Sequence, residues 1–257
     1  MMNLLGNELY KLFKTRKLYV FAAIMIIVLV LNLFRYVPGD PMVVWTFKHG
    51  QSVPLNTLDL LTQFMIIFIP ILLGDSVTNE HRRGTLKLPL LRPVHRSELL
   101  GAKLAAMLVF IVIMAAFYVA AAYAVGTYYL GWGDGTEYAG RVFSTAEGIR
   151  LTLAAVALLV FPYAVYGLFV TAIAVLAGNM SLTIISALVI MTIALNLNAV
   201  EAVAPWSLAY QAAYYHEAFI SDPDWNLALQ RTGVLALYAV ILALFSFRMF
   251  RKKEILY

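Results

Sequence analysis

Apolar residues along this chain are gathered in six long runs, and shorter segments rich in polar and charged residues separate them. The runs lie near residues 18–34, 58–73, 104–130, 151–177, 181–195 and 232–247. A helix needs roughly 20 mainly apolar residues to cross the hydrocarbon core of a membrane. The pattern therefore predicts an all-α membrane protein with six transmembrane helices. The third and fourth runs are long enough for their helices to tilt.

The fourth and fifth runs belong to one uncharged stretch, residues 151–200, which is too long for a single crossing. Gly178-Asn179-Met180 interrupts it, and glycine and asparagine tolerate the backbone angles of a tight turn. We therefore predict two helices in a hairpin. Ahead of this stretch, Ser144 and Glu147 have the spacing of a capping box, which predicts that a helix begins there.

The first 17 residues have an amphipathic pattern instead. One helical face would carry Leu5, Leu9, Leu12, Phe13 and Arg16, while Glu8, Lys11 and Lys14 would lie mostly elsewhere on the helical wheel. We predict an amphipathic interface helix over residues 1–17, followed by one membrane domain over residues 18–257. Two interpretations of this helix stay open, a charged topology anchor and a surface that also contacts a partner.

Composition indicates that the chain is a membrane protein, and the distribution of charge predicts which side of the membrane each loop faces. Hydrophobic residues make up 62% of the 257 residues and charged residues only 13%, whereas soluble domains have about 45–50% and about 25%. Fourteen Lys and Arg side chains fall on one side of the predicted topology and five on the other. The side richer in Lys and Arg is the cytoplasmic one. We therefore expect a multi-pass protein of the cell membrane, in contact with membrane lipid, with both termini in the cytoplasm.

Several chemistries find no support in the sequence. The chain has no cysteine, which excludes disulfides and thiolate catalysis, and its four histidines lack the spacing of a His-Glu-x-x-His metal site. No glycine-rich phosphate-binding loop is present. The basic residues lie in short blocks beside apolar runs, so we expect no nucleic-acid partner. We expect a chain that is not itself catalytic and binds no cofactor or metal.

The segment between the second and third runs combines basic and apolar residues in a distinctive order. It contains Glu80, then Gly84-Thr85-Leu86, then Arg92-Pro93-Val94, and Arg96 through Lys103 lead into the third run. Asn7-Glu8-Leu9-Tyr10-Lys11-Leu12 precedes the first run. In this order the parts resemble a type-2 ABC transporter permease, the six-span membrane subunit of an ATP-binding-cassette exporter. Pro89 and Gly101-Ala102-Lys103 depart from the family pattern.

The resemblance implies a permease domain that forms the substrate pathway as a homo- or heterodimer. A separate cytoplasmic ATPase, which carries the ATP and Mg, would drive transport by moving a cytoplasmic coupling segment between spans two and three. The residues assigned to ATPase coupling are Glu80, Arg83, Gly84, Thr85, Leu86, Leu90, Arg92, Pro93 and Arg96. The aromatic residues assigned to an outer gate are Trp206, Tyr210, Tyr214 and Tyr215.

Two other classes of function stay open beside the permease. A stand-alone secondary carrier would transport without any ATPase, and such carriers usually place ionisable residues within the membrane. The predicted spans are almost free of charge, which argues against this class. A membrane enzyme or scaffold would neither transport nor bind an ATPase. The sequence leaves the substrate undetermined.

Overall fold

The computed structural model of the chain describes residues 2–34, 49–79, 95–200, 202–220 and 222–252, and these are mostly helical. The longer helices are α1 (Met2–Lys14), α2 (Lys17–Phe34), α4 (Leu58–Leu73), α5 (Arg96–Leu130), α6 (Thr145–Ala177), α7 (Met180–Leu197) and α9 (Trp225–Lys252). Two shorter α-helices are α3 (Val53–Asn56) and α8 (Leu208–Tyr214). Gly50–Ser52, Ala204–Trp206 and Tyr215–Ala218 form 3₁₀ turns, and Gly74–Asn79 forms a π-helical extension of α4.

The apolar runs of the sequence do become helices. Within the described residues, five helices are long and apolar enough to cross a membrane, or six if the bent pair of α1 and α2 is counted as one span. This number agrees with a multi-pass membrane protein. Helices α5, α6 and α9 extend well beyond the apolar runs that predict them, because their polar ends continue the helical backbone.

The all-α prediction is wrong in one detail, a small antiparallel hairpin between α5 and α6. Strands β1 (Gly135–Tyr138) and β2 (Arg141–Ser144) pair with Tyr138 opposite Arg141. Ala139 and Gly140 join them with φ values of 49° and 75°. This is the turn geometry that matches the twist of a hairpin. Four-residue strands are too short to show a clear alternating pattern in sequence.

Helix α6 lies at the centre of the bundle. It packs against α4, α5, α7, α8 and α9. Helix α4 is the most enclosed span, with 67% of its most apolar window buried, whereas the corresponding share is 17% in both α7 and α9. Helices α7 and α9 therefore lie at the periphery and leave broad apolar surfaces exposed.

Tyrosine hydroxyl groups hold α4 within this core. The Tyr118 hydroxyl on α5 lies 2.6 Å from the Thr57 hydroxyl at the start of α4. The Tyr163 hydroxyl on α6 lies 2.9 Å from that of Thr62, and the Tyr166 hydroxyl donates to the Ile66 carbonyl at 3.0 Å. All three tyrosines are buried. Each polar tip thus has a partner, as a group shielded from water requires.

Sequence signals at the turn from α6 to α7 are confirmed. Gly178 ends α6 with φ 61°, in the left-handed region that glycine adopts freely, and the Asn179 side chain accepts a hydrogen bond from the Ser181 amide. At the other end of α6, the Ser144 side chain accepts from the Glu147 amide and the Glu147 carboxylate accepts from the Ser144 amide. The predicted capping box is therefore present.

A buried segment that the sequence analysis did not single out precedes α4. Residues 50–55 are all buried, and the Gly50 amide donates to the Gly131 carbonyl at 2.9 Å. A Cβ at Gly50 would lie 2.3 Å from the backbone of Gly126 on α5, and a Cβ at Gly126 would lie 2.6 Å from the Gly50 carbonyl oxygen. Backbone therefore contacts backbone, and neither position has room for a side chain.

We expect Gly50→Ala and Gly126→Ala each to destabilise the protein by about 1–3 kcal/mol, because an added methyl group must push one backbone away from the other. Gly6→Ala is the matched control. A Cβ at Gly6 meets nothing within 4 Å, and alanine favours a helix interior by about 0.5–1 kcal/mol. Thermal unfolding in mild detergent measures the three variants. Equal midpoints for Gly50→Ala and Gly6→Ala would contradict this close contact.

Candidate functional site

Helix α1, the end of α4 and the start of α5 meet at one end of the bundle, which we call the basic end. Helix α1 lies against α5 with Leu12 buried and Phe13 partly exposed. Glu8 is buried as well, at 7% exposure. The assignment of Glu8 to a polar face of the helical wheel is therefore wrong, since Glu8 and Leu12 both lie on the face that contacts α5.

The Glu8 carboxylate is held between two ammonium groups. Its Oε2 atom lies 3.3 Å from Lys103 Nζ on α5, and its Oε1 atom lies 2.8 Å from Lys11 Nζ. The Lys103 side chain is only 1% exposed, whereas that of Lys11 is 47% exposed. The Glu8–Lys103 pair is thus a buried ion pair, and breaking such a pair by removing one partner is costly.

A second ion pair lies at the junction of α1 and α2. Lys17 at the start of α2 donates to the Asp75 carboxylate in the π-helical extension of α4. Both side chains are about one-third exposed, so this pair is weaker than a buried one. Helices α1 and α2 meet here at 52°. Both helices pack against α5, so the bend lets α1 and α2 contact it in different directions.

The two ion pairs bracket the segment that the sequence analysis assigns to coupling. Asp75 lies five residues before Glu80, and Lys103 lies nine residues after Val94. The assigned residues Glu80, Arg83, Gly84, Thr85, Leu86, Leu90, Arg92 and Pro93 lie outside the described residues. Arg96 begins α5. The structure therefore describes the residues on both sides of the segment 80–94, and both sides are ion-paired to the N-terminal part of the chain.

At the opposite end of the bundle, the residues assigned to an outer gate surround an arginine. Arg231 lies on α9, is 5% exposed, and donates from Nη1 to the carbonyl of Tyr214. Its Nη2 atom lies 3.3 Å from the Tyr210 hydroxyl, and the guanidinium carbon lies 5.1 Å from the centre of the Tyr210 ring. Because Tyr214 is the last residue of α8, the cation also meets the negative end of that helix.

The remaining gate residues tie the same segment to α9. The Tyr215 hydroxyl lies 3.0 Å from the Thr232 hydroxyl, and the Tyr238 hydroxyl donates to the Trp206 carbonyl at 3.0 Å. Tyr215 is buried, but the Trp206 and Tyr214 side chains are partly exposed. The structure therefore brings the four predicted aromatic residues onto one short helical segment that is bonded to α9 at three points.

His216 is buried beside this cluster. Burial and, secondly, the positive charge of Arg231 lower the pKa of its imidazole from 6.5 to about 4. The histidine is therefore neutral in this arrangement near neutral pH. Burial also raises the pKa of the Glu217 carboxyl. Across the part of the chain that the structure describes, no cluster of three or more His, Asp or Glu side chains could hold a metal ion.

Comparison with known families assigns the chain to one of them. A family model described as a protein of unknown function, DUF2705, matches residues 19–256. The chain belongs to the DUF2705 family. The match includes Asp75, Lys103 and Arg231, while the whole of α1 precedes it. A comparison with curated proteins finds no match.

Three charged residues of this DUF2705 chain, Asp75, Lys103 and Arg231, form contacts between helices that the sequence analysis did not predict. From sequence, Asp75 at the end of the second apolar run is interpreted as an ordinary helix-end charge, and Lys103 as the last residue of the motif that leads into the third run. Arg231 enters the sequence analysis only as one of the Lys and Arg side chains counted on the two sides of the predicted topology. The sequence does contain a signal that Lys103 and Arg231 are buried, because each lies directly before a long apolar run. A charge in that position needs a partner within the protein.

We expect the Glu8–Lys103 pair to behave as a coupled unit. Glu8→Gln should destabilise the protein by about 3–5 kcal/mol, because it breaks a buried ion pair, and Lys103→Met should destabilise it by less, because Lys11 still lies beside the Glu8 carboxylate. The double variant should recover most of this loss, since both buried charges are then removed. Unfolding in detergent measures the stability of the unmodified chain, the two single variants and the double variant, which together form a double-mutant cycle. Lys14→Met, which removes an exposed lysine of the same helix, is the control, and additive effects in the double variant would refute the coupling.

We also expect the segment from Leu208 to Ala218 to open more readily as the pH falls from 6.5 towards 4. In the opened state the His216 imidazole regains an ordinary pKa, so it binds a proton in a pH range where the buried imidazole stays neutral. Each pH unit in this window favours opening by up to about 1.4 kcal/mol. Amide hydrogen exchange, corrected for intrinsic rates, measures the opening.

His216→Gln should flatten this pH dependence. Glu217 contributes with the opposite sign, because the raised pKa of its carboxyl favours proton uptake in the closed state. The relevant quantity is therefore the difference between the unmodified chain and His216→Gln. His95→Gln changes an exposed histidine at the basic end and should leave the slope unchanged. Equal slopes in the unmodified chain and His216→Gln would rule out His216 as the cause.

Proposed function

We propose that this chain is the membrane permease subunit of an ATP-binding-cassette exporter, and that a separate cytoplasmic ATPase drives it. The observation that carries the proposal is the pair of ion pairs at the basic end. Glu8–Lys103 and Lys17–Asp75 attach the N-terminal helices to both sides of residues 80–94. These are the residues whose order resembles the coupling segment of a type-2 permease.

A segment that receives force from an ATPase must be attached firmly to the spans that move. Without such attachment, a push on the segment would only bend its connections. Here Asp75 continues directly from α4, and Lys103 lies on α5 about two turns from its start. Contacts from α1 and α2 to both sides would allow the four helices to respond together, as packed elements do in rigid-body transitions.

The absence of charge from the middle of α6 and from α7 supports an external source of energy. Helix α7 has no charged residue, and the charges of α6 are Glu147 and Arg150, both in its first two turns. Ion-coupled carriers and proton relays place ionisable groups well inside the membrane. The buried hydroxyl contacts of Tyr118 and Tyr163 are neutral. ATP hydrolysis on a partner would supply what this chain lacks.

The exposed apolar surfaces of the peripheral helices support a dimer within lipid. On α2, Ile24, Ile27 and Leu31 are exposed at helical spacing, and α7 exposes Leu182, Ile185 and Val189 in the same way. Such surfaces suit lipid and a second permease subunit. Residues Arg83, Leu86 and Arg92 would contact the ATPase, and the basic end would face the cytoplasm with both termini.

We expect the tagged chain, purified in mild detergent from cells that express its native partners, to bring with it a soluble protein that carries a phosphate-binding loop. The combined change Arg83→Glu, Leu86→Asp and Arg92→Glu should reduce recovery of that ATPase at least about tenfold, because like charges and a buried carboxylate disfavour docking. Quantitative mass spectrometry of the two preparations measures the ratio.

Arg248→Glu and Arg251→Glu together form the matched control, since they reverse two exposed basic charges near the end of α9 and should leave recovery unchanged. Substrate-dependent ATP hydrolysis by the recovered complex, reconstituted in vesicles, then tests export itself. Undiminished ATPase recovery after all three coupling-segment changes would refute the docking assignment. Transport in vesicles without any ATPase would favour the carrier instead.

A further inference from the structure

The starting observation is that the exposed side of α1 carries cations and aromatic rings. The sequence of α1 contains one acidic residue, Glu8, and its carboxylate is buried against α5 and paired with Lys103. Four exposed residues define the outer face of α1, which lies away from α5: Tyr10, Lys11, Phe13 and Lys14. Because the one carboxylate of the helix is turned towards α5, the outer face is cationic.

A lysine and a tyrosine of the outer face lie beside each other. Lys14 Nζ is 5.2 Å from the centre of the Tyr10 ring, within the range of a cation–π contact. The Tyr10 and Phe13 side chains are 63% and 46% exposed. Tyrosine gathers at the level of lipid headgroups, and phenylalanine is common on the apolar side of interfacial helices. The outer face thus combines rings suited to a headgroup layer with positive charge that attracts anionic lipid.

The bend between α1 and α2 brings this face to the height of the headgroups. Helix α2 begins at Lys17 and carries an apolar run, and α1 meets it at 52°. Tyr10 precedes Lys17 by seven residues, about 10 Å of helix, which at this angle corresponds to about 6 Å measured along α2. The polar layer on each side of a bilayer is about 5–8 Å thick. If Lys17 marks the edge of the hydrocarbon core, Tyr10 therefore lies within the headgroup layer.

The bend itself adds a second exposed cation and a second exposed tyrosine. Arg16 is exposed in the bend, and the Tyr19 side chain, near the start of α2, is 63% exposed. Both residues lie within two positions of Lys17, so basic and aromatic side chains occur on both sides of the bend. Such a grouping is typical of the boundary between a span and the lipid headgroups.

We propose that the outer face of α1 and the adjoining Arg16 bind anionic phospholipid headgroups of the leaflet at the basic end. Lys14 and Arg16 would donate to phosphate oxygens, while the rings of Tyr10 and Phe13 lie between neighbouring headgroups. Each basic side chain close to an anionic membrane surface strengthens binding by about fivefold. The Glu8 side of α1 is fastened to α5, so bound lipid would hold the helix in place from its other side.

The test measures how firmly α1 is held in nanodiscs of phosphatidylcholine alone and of phosphatidylcholine mixed with phosphatidylglycerol. Amide hydrogen exchange of α1 in the full-length chain should slow at least about tenfold in the anionic mixture, because two cations then gain partners. Added salt should reduce this slowing, since the charges lie at the surface. The ratio between the two lipid mixtures is taken within each variant, so a general loosening of α1 cancels.

Two charge-matched variants locate the binding. Lys14→Gln with Arg16→Gln should lose most of the slowing. Arg248→Gln with Arg251→Gln removes two exposed cations near the end of α9 and should keep it. An anionic surface also concentrates protons, which slows exchange everywhere near that surface, and the comparison between the two variants removes this effect.

No slowing in the unmodified chain, or equal slowing in the unmodified chain and in Lys14→Gln with Arg16→Gln, would overturn the proposal and leave the outer face to a protein partner. An equal loss in the α9 variant would overturn it too, because the attraction would then be diffuse and would not belong to α1. No ATPase takes part in the measurement, so the result is independent of the proposed export function.

Discussion

Burying a charge or a polar group without a partner costs free energy in the interior of this helical bundle, and the arrangement of its ends follows from that constraint. Lys103 lies inside α5 where no water reaches it, so a carboxylate must come to it, and Glu8 of α1 does so. The position of α1 is thus set by one buried charge as well as by apolar contact. Likewise, the tyrosine hydroxyls of α5 and α6 determine which faces of α4 can turn towards them.

The same constraint explains which parts of the fold were predictable. Runs of apolar residues long enough to cross a membrane are a strong signal, so the main helices were found and the turn at Gly178 was placed correctly. The hairpin β1–β2 was missed because four-residue strands have little periodicity. The buried segment from Gly50 was missed because its position depends on Gly126, far away in sequence. The six-span layout and the orientation stay predictions.

In the candidate sites, too, features that depend on local sequence were predictable and features that depend on helix packing were not. The aromatic residues of the predicted gate share a segment, so their proximity follows from sequence spacing. Pairings between distant residues, such as Glu8 with Lys103 or Arg231 with the Tyr214 carbonyl, depend on how helices pack. A helical wheel treats α1 as an isolated helix at a membrane surface and therefore assigned Glu8 to the polar side. It could not include the buried lysine on a neighbouring helix.

The backbone contact between Gly50 and Gly126 gives α5 the mechanics of a lever. The contact lies four residues from the end of α5 and thirty residues from its start. If α5 pivoted at this contact, the arm that reaches the basic end would be about 45 Å long. A rotation of about 5° around this fulcrum would carry the start of α5 by about 4 Å, while the end beyond Gly126 would move by less than about 1 Å. The short arm bears β1 and β2, so this hairpin would stay nearly still while the basic end swings.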